Sequence, residues 1–265
     1  MKSTQRITVP QLVSFKSSGH KIAMLTAYDY AMAKILDQSG VDVILVGDSL
    51  AMVVQGHEST LPVSLDEMIY HAEMVGRATD RALVVVDLPF PINHLAEDRT
   101  IDAAARILKE TRCQAVKLEG DSHQASLIAG LVTAGIPVMA HVGLRPQNVH
   151  VMGGYRVQRN REHLLDAATS AEQAGAFGIV LECIPQAIAK EITGRVAIPT
   201  IGIGAGPHCD GQVLVTNDLV GLTTGYVPSF VQQYANMREQ ISAALQSWQR
   251  DVRDGSFPDE AHSFK

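Results

Sequence analysis

Apolar, β-rich runs recur eight times along the chain, at 22–29, 41–48, 82–89, 113–120, 136–143, 178–183, 198–206 and 219–226. Helical patterns separate them at 30–39, 64–78, 100–112, 121–134, 161–174, 185–194 and, more briefly, near 208–216. A longer helix is expected at 229–249, and a short amphipathic one at 9–19, ending in Ser17-Ser18-Gly19. Strands that alternate with helices must pair in parallel, because each helix carries the chain back over the sheet. Eight such units in 265 residues predict an α/β (β/α)8 TIM barrel with an extra N-terminal helix, a fold that typically takes about 250 residues. A doubly wound open sheet is the alternative, but it would usually need fewer strands. No Pro/Gly/Ser-rich linker breaks the rhythm, so 1–265 is expected to be a single domain, with 250–265 a polar C-terminal tail.

Bulk properties narrow the function. A formal net charge of -6, with no cluster of Lys and Arg, argues against a nucleic-acid surface. No apolar run is long enough to span a bilayer, and the opening MKSTQRITVP has no apolar core of a secretory signal. Cys113, Cys183 and Cys209 are odd in number and lack CxxC spacing, as expected of buried thiols in a reducing cytoplasm.

The run Val43-Ile44-Leu45-Val46-Gly47-Asp48-Ser49 carries the first chemical signal. Four consecutive apolar residues, mostly β-branched, describe a strand buried on both faces. A strand so deep that ends on a carboxylate needs a reason, since an unpaired buried charge is costly. The same ending recurs: Asp29, Asp48, Asp87, Lys117 with Glu119, His141 and Glu182 all stand at or near the C-terminal ends of expected strands. In a barrel those ends converge on one mouth, where barrel active sites lie. Any one acid there would serve equally well as the N-cap of the following helix; six strand ends together point to a site. Carboxylates that meet without cations raise one another's pKa, and a hard divalent ion removes the conflict. Mg²⁺ takes oxygen ligands and only one or two carboxylates. Asp48 and Asp87 are the expected direct ligands, with Glu119 bound directly or through a water. Zn²⁺ would want more His or Cys at ligand spacing.

Lys117 and Glu119 lie two apart and so share one face of their strand. Lys117 either pairs with a neighbouring acid or receives a substrate anion. Asp29 is expected to cap the next helix or to support the site from behind. His141 is as readily a core histidine as a ligand contact, while His57 and His123 are expected in loops. Gly202, Gly204 and Gly206 end the seventh run in IGIGAG. They either cradle a phosphate or let backbone and ligand approach closely. The spacing is not GxGxxG, so no dinucleotide is expected. The long connections after the second and fifth strands, through 55–63 and 143–160, are candidate lids.

Eleven segments add a resemblance: TAYD (26–29), LVGDS (45–49), GHESTLPV (56–63), DLPF (87–90), VKLEG (116–120), HVGLRPQ (141–147), GGY (153–155), VLE (180–182), IGIGAG (201–206), CDGQVLV (209–215) and HSF (262–264). Together, in collinear order, they resemble the ketopantoate hydroxymethyltransferase family. The resemblance implies a barrel of the phosphoenolpyruvate/pyruvate superfamily, with Mg²⁺ on Asp48, Asp87 and Glu119. It implies keto acid contacts from Asp48, Ser49, Asp87 and Lys117, and Glu182 as the proton acceptor. The implied reaction moves a one-carbon unit from 5,10-methylenetetrahydrofolate to 3-methyl-2-oxobutanoate, giving 2-dehydropantoate on the route to pantothenate and coenzyme A. The implied assembly is a cytoplasmic homodecamer built as a pair of pentameric rings. Departures from the family pattern are Arg145 for a usual Thr, Arg159 for a small residue, Ser229 for a common Lys, Asn217 for a frequent His, and Glu58 for Asp or Asn. The alternatives are a Mg²⁺-dependent 2-oxo acid C–C lyase or mutase of the same superfamily, or a non-catalytic barrel that binds a chelated keto acid. GHEST, GGY and the lack of a KxCGH-type cysteine loop weigh against the lyase.

Overall fold

The computed structural model describes residues 5–265. Residues 1–4, the start of the stretch expected to carry no secretory signal, lie outside the described residues. The chain divides into two compact units, the first ending at Val215 and the second spanning Thr216–Lys265.

The first unit runs α1 (Val9–Ser18), β1 (Ile22–Thr26), α2 (Tyr30–Gln38), β2 (Val43–Val46), α3 (Leu50–Val53), α4 (Leu65–Ala78), β3 (Leu83–Asp87), α5 (Glu97–Glu110) and β4 (Ala115–Glu119). It continues α6 (Ala125–Thr133), β5 (Val138–Gly143), α7 (Val149–Met152), α8 (Arg161–Gln173), β6 (Gly178–Glu182), α9 (Gln186–Arg195), β7 (Thr200–Ile203) and β8 (Gly211–Leu214). All eight strands pair in parallel in sequence order, and β8 returns to β1, closing the barrel. The (β/α)8 expectation and its extra N-terminal helix are both present.

Strand alternation divides the apolar residues into two sets. Ile22, Met24, Val43, Leu45, Leu83, Val85, Ala115, Met139, Val180, Ile201 and Val213 form one buried cluster, which fills the barrel. Ile44, Val46, Val84, Val86, Val116 and Leu118 belong to the other cluster, with helix residues such as Leu36, Val75 and Ala104. Successive side chains on a strand point to opposite faces, so the inward set continues toward the C-terminal mouth as Asp87, Lys117, Glu119, His141 and Glu182. Leu12 of α1 is fully buried in the inner cluster, so α1 closes the opposite end. Lys16 fastens α1 there, with Nζ donating to the Thr193 and Ile198 carbonyls at 2.8 and 3.1 Å and pairing with Asp210 at 2.9 Å.

One expected strand was misplaced. The run 219–226 is not the eighth strand: Thr216–Leu219 is a helical turn, α10, and β8 lies at Gly211–Leu214, where a short helix was expected. Only two of its four residues, Gly211 and Val213, are buried, and Gln212 is exposed, so its apolar signal is weak. Register with Ile22 of β1 and Ile201 of β7 makes it a strand.

In the second unit the long helix starts later than expected, as α11 at Met237–Asp254, where Asn236 caps it by accepting from the Glu239 amide. The segment expected as a polar tail therefore begins inside this helix. Ile241, Leu245, Trp248 and Val252 are all exposed and recur at helical spacing along one face. Among the described residues no helix is long and apolar enough to cross a membrane.

Candidate active site at the barrel mouth

Asp48 follows β2, Asp87 ends β3, Lys117 and Glu119 lie on β4, His141 lies on β5, and Glu182 ends β6. Register sets these side by side: Asp87 is paired with Lys117, Glu119 with His141, and Gly143 with Glu182. Asp48, Asp87, Lys117, Glu119 and His141 are all buried, and Glu182 retains 17% side-chain exposure.

The contacts form a chain. The Asp48 backbone N–H donates to Asp87 Oδ2 at 3.0 Å. Asp87 Oδ1 pairs with Lys117 Nζ at 3.0 Å, and Lys117 Nζ donates to His141 Nδ1 at 3.1 Å. That bond makes Nδ1 the acceptor, so the proton of a neutral imidazole sits on Nε2. His141 Nε2 lies 3.2 Å from Glu182 Oε2. Glu119 Oε1 is 3.7 Å from His141 Nδ1, and Asn93 Nδ2 donates to the Glu119 carbonyl at 2.7 Å. Beside this chain, Tyr28 and Ser49 share a hydroxyl hydrogen bond at 2.8 Å.

Local backbone requirements hold these groups in place. A Cβ on Gly47 would sit 2.8 Å from Ser49 Oγ, too close for any other residue to precede Asp48 without displacing that hydroxyl. Gly143 has φ +110°, and a Cβ there would lie 2.2 Å from the Glu182 carbonyl oxygen. That carbonyl accepts from the Leu144 amide at 2.9 Å. The next residue, Cys183, takes φ +48°, a left-handed conformation uncommon for a residue with a Cβ. Its N–H donates to the Ile203 carbonyl at 2.8 Å, and its own carbonyl accepts from the Gln158 amide at 2.9 Å. Glu182 is thus gripped through the backbone from β5, β7 and the long loop.

The electrostatics show what the site lacks. Four carboxylates, Asp48, Asp87, Glu119 and Glu182, face one ammonium, Lys117. Burial, followed by the charge of Asp87, pushes the Asp48 carboxyl up to about 7. Burial and Asp48 hold Glu119 well above the usual carboxylate range. Burial raises Glu182 to about 7, against the pull of Lys117. For Lys117 burial alone would lower the pKa, but Asp87, Glu119 and Asp48 outweigh it and raise it above its ordinary value. His141 falls well below its ordinary value through burial and the neighbouring Lys117, so its ring is neutral. Gln147 Oε1 is buried with no protein donor, while Asp87 Oδ1 and His141 Nε2 meet only their ion-pair partners Lys117 and Glu182.

Among the described residues no three His, Cys, Asp or Glu side chains are drawn together as a ready metal cage. Mg²⁺ does not need one, since it binds through one or two carboxylates and keeps several waters. The excess of buried acid over cation, four carboxylates against the single ammonium of Lys117, suits such an ion.

Every residue singled out in the sequence as a candidate ligand or base lies at this mouth, and so does His141, whose role the sequence left open. Asp29 does not: it caps α2, accepting from the Met32 amide at 2.9 Å. Two glycines of IGIGAG face protein atoms rather than open space, with Cys209 against Gly202 and Gln186 against Gly206. The second long connection reaches α3, where Tyr155 Oη donates to Met52 Sδ at 3.7 Å, and Arg145 ties that connection to Asp121 at 2.9 Å. Sequence reasoning missed Tyr28 and Gln147. Both lie in the motifs TAYD and HVGLRPQ, but a phenol and an amide carry no charge to mark them.

A family model described as ketopantoate hydroxymethyltransferase matches residues 6–260. A protein of Rhodopirellula baltica named 3-methyl-2-oxobutanoate hydroxymethyltransferase is 56% identical, over 100% of this chain and 98% of its own length. Proteins of the same name from Desulforapulum autotrophicum and a Thermoanaerobacter species are 50% and 47% identical, each over 98% of this chain and over 99% and 96% of their own lengths. Among solved structures, a phosphonopyruvate hydrolase in complex with oxalate and Mg²⁺ superposes with a TM-score of 0.62 at 15% identity, covering 97% of this chain and 93% of its own. A 2,3-dimethylmalate lyase of the PEP mutase/isocitrate lyase superfamily gives 0.61 at 15% identity, covering 97% and 91%. At that identity the likeness shows the fold alone. A family match over nearly the whole chain, and relatives about half or more identical across it, make this chain a member of the ketopantoate hydroxymethyltransferase family and an enzyme of the hydroxymethyltransferase class.

Proposed function

We propose that this enzyme transfers a hydroxymethyl group from 5,10-methylenetetrahydrofolate to 3-methyl-2-oxobutanoate, forming 2-dehydropantoate for pantothenate and coenzyme A synthesis, with Mg²⁺ as its metal. The observation that carries this reading is the pairing of Glu182 with a buried Asp48–Asp87–Lys117–Glu119 cluster at one barrel mouth. The names of relatives at 47–56% identity support it.

Asp48 and Asp87 would hold the metal, with Glu119 bound directly or through a water. When bound, Mg²⁺ supplies Lewis acidity to a 2-oxo acid, polarising its carbonyl and offsetting the charge that develops when C3 loses a proton. Lys117 offsets the negative charge of the substrate, and Ser49 fixes its carboxylate. Ser49 Oγ is itself oriented by Tyr28. Glu182 takes the C3 proton, a task suited to a base whose pKa lies near the working pH. His141, neutral and bonded to Lys117, presents Nε2 toward Glu182 and keeps that carboxylate facing the cluster. The C3 carbon then bonds to the one-carbon unit of the folate; overall, one water is consumed and tetrahydrofolate leaves.

The same reading places the enzyme in the cytoplasm as a homodecamer of two pentameric rings. The exposed apolar stripe of α11 supports self-association, since large exposed apolar patches mark interfaces. Proton NMR of 3-methyl-2-oxobutanoate in D2O tests the chemistry. Loss of the C3 proton signal that requires both enzyme and Mg²⁺, followed by folate-dependent product, is the expected result. Full activity in EDTA would overturn the metal, and cleavage of an isocitrate-like acid would favour a lyase.

A further inference from the structure

Gln147 is buried on the turn that follows β5. Its side-chain Nε2 donates to Asp48 Oδ2 at 2.8 Å and to the Leu88 carbonyl at 2.9 Å. Its backbone N–H donates to Glu119 Oε2 at 3.1 Å. One residue therefore reaches both the acid behind β2 and the acid on β4, and anchors itself to the chain leaving β3. Two acceptors on the nitrogen side fix which way the amide faces. Oε1 is left as a buried acceptor with no protein donor. A buried acceptor left unmet is costly, so a donor from outside the protein is expected there. The water that accompanies a divalent cation is such a donor.

Among the described residues no other group hydrogen-bonds to both of these carboxylates; Lys117 reaches them only through its charge. Asp48 follows β2 and Glu119 ends β4, with β3 between them, and the two acids repel each other when ionised. A donor to each compensates part of that repulsion and sets the plane of each carboxylate. The turn that carries Gln147 is itself braced: Pro146 opens it, and the Arg145–Asp121 ion pair lies immediately before it.

We propose that Gln147 is the positioning residue of the metal centre, aiming Asp48 and Glu119 at the cation and accepting a hydrogen bond from its water. The inference rests on the Mg²⁺ reading above and extends it to a residue that touches neither the substrate carboxylate nor the proton acceptor. Partners that hold metal-ligating groups from behind typically account for 10–100-fold in metal affinity.

The experiment is Mn²⁺ binding to the full-length protein without substrate, followed by electron paramagnetic resonance of the free ion. Wild type, Gln147→Met and Asp48→Asn are compared, with folding monitored by circular dichroism. Gln147→Met keeps the volume and removes both side-chain donors. Gln147→Ala, which retains the backbone N–H to Glu119, replaces it if the Met variant does not fold. The expected result is a 10–100-fold weaker Mn²⁺ Kd in the folded Gln147 variant. The Mg²⁺ concentration for half-maximal C3 proton exchange should rise by the same factor, while kcat at saturating Mg²⁺ changes less than threefold. In an Asp48→Asn background the same substitution should cost little further affinity. A wild-type Kd in a folded Gln147 variant would overturn the proposal while leaving the Mg²⁺ reading intact. Failure of the wild-type protein to bind Mn²⁺ would overturn that reading and the proposal with it.

Discussion

Asp87 and Lys117 are register partners across β3 and β4, and their side chains meet at 3.0 Å inside the barrel. Neither group is solvated, so each depends on the other for its charge. Replacing Lys117 with Met leaves Asp87, Asp48 and Glu119 as buried acids without a cation. Breaking a buried pair from one side costs about 3–5 kcal/mol. Denaturant unfolding in EDTA should show that loss, and part of it should return on adding Mg²⁺. No loss in EDTA would mean that the pair contributes nothing.

Glu182→Gln removes the proton acceptor but keeps its shape. Exchange of the C3 proton of the keto acid should fall by about 10²–10⁴-fold, while binding of the keto acid, measured calorimetrically, stays within threefold. Exchange near the wild-type rate would assign the base to another group.

The metal-free protein should lose stability as pH rises. Glu182 goes from its ordinary 4.5 to about 7 on folding, and Asp48 from 3.8 to about 7. Between those limits the folded chain holds protons on these two acids that the unfolded chain has released, so their contribution to unfolding free energy falls with rising pH. Glu119, also held above its ordinary value, adds to the fall, and His141, neutral when folded, opposes it only below its ordinary 6.5. In Glu182→Gln the drop should be smaller by on the order of 1–3 kcal/mol. Added Mg²⁺, which favours the ionised acids, should flatten or reverse it. Denaturation midpoints at pH 5 and pH 8, with EDTA and with Mg²⁺, check the sign.

Leu12 is fully buried in the barrel's inner cluster although it belongs to the N-terminal helix. Leu12→Ala should destabilise by about 2–5 kcal/mol without altering Mn²⁺ affinity, because the cavity opens at the end opposite the site. A stability change under 1 kcal/mol would mean that α1 is not part of the core.

Burial made most of this structure legible in the sequence. Runs such as Val43–Val46 and Leu83–Asp87 are buried at every position, so each reads as a β-rich apolar block that needs no alternation to recognise it. β8 was not legible, because its four residues expose Gln212 and present almost no block. Its identity depends on the hydrogen-bonding edges that β1 and β7 leave open. The site acids stood out for the same reason as the strands: a carboxylate at the end of a fully buried run contradicts its surroundings, and sequence alone exposes the contradiction.

What sequence determined, then, was the set of deep strands and the charged groups at their mouths, since both are statements about single segments and the water they avoid. Tertiary structure alone decided the pairings. Barrel closure and register bring Lys117 between Asp87 and His141, turn His141 toward Glu182, and let the neutral Gln147 reach two acids, Asp48 and Glu119, that lie 99 and 28 residues away in the chain. Hydrogen bonds depend on distance and direction in space, and neither is written in the spacing of the residues.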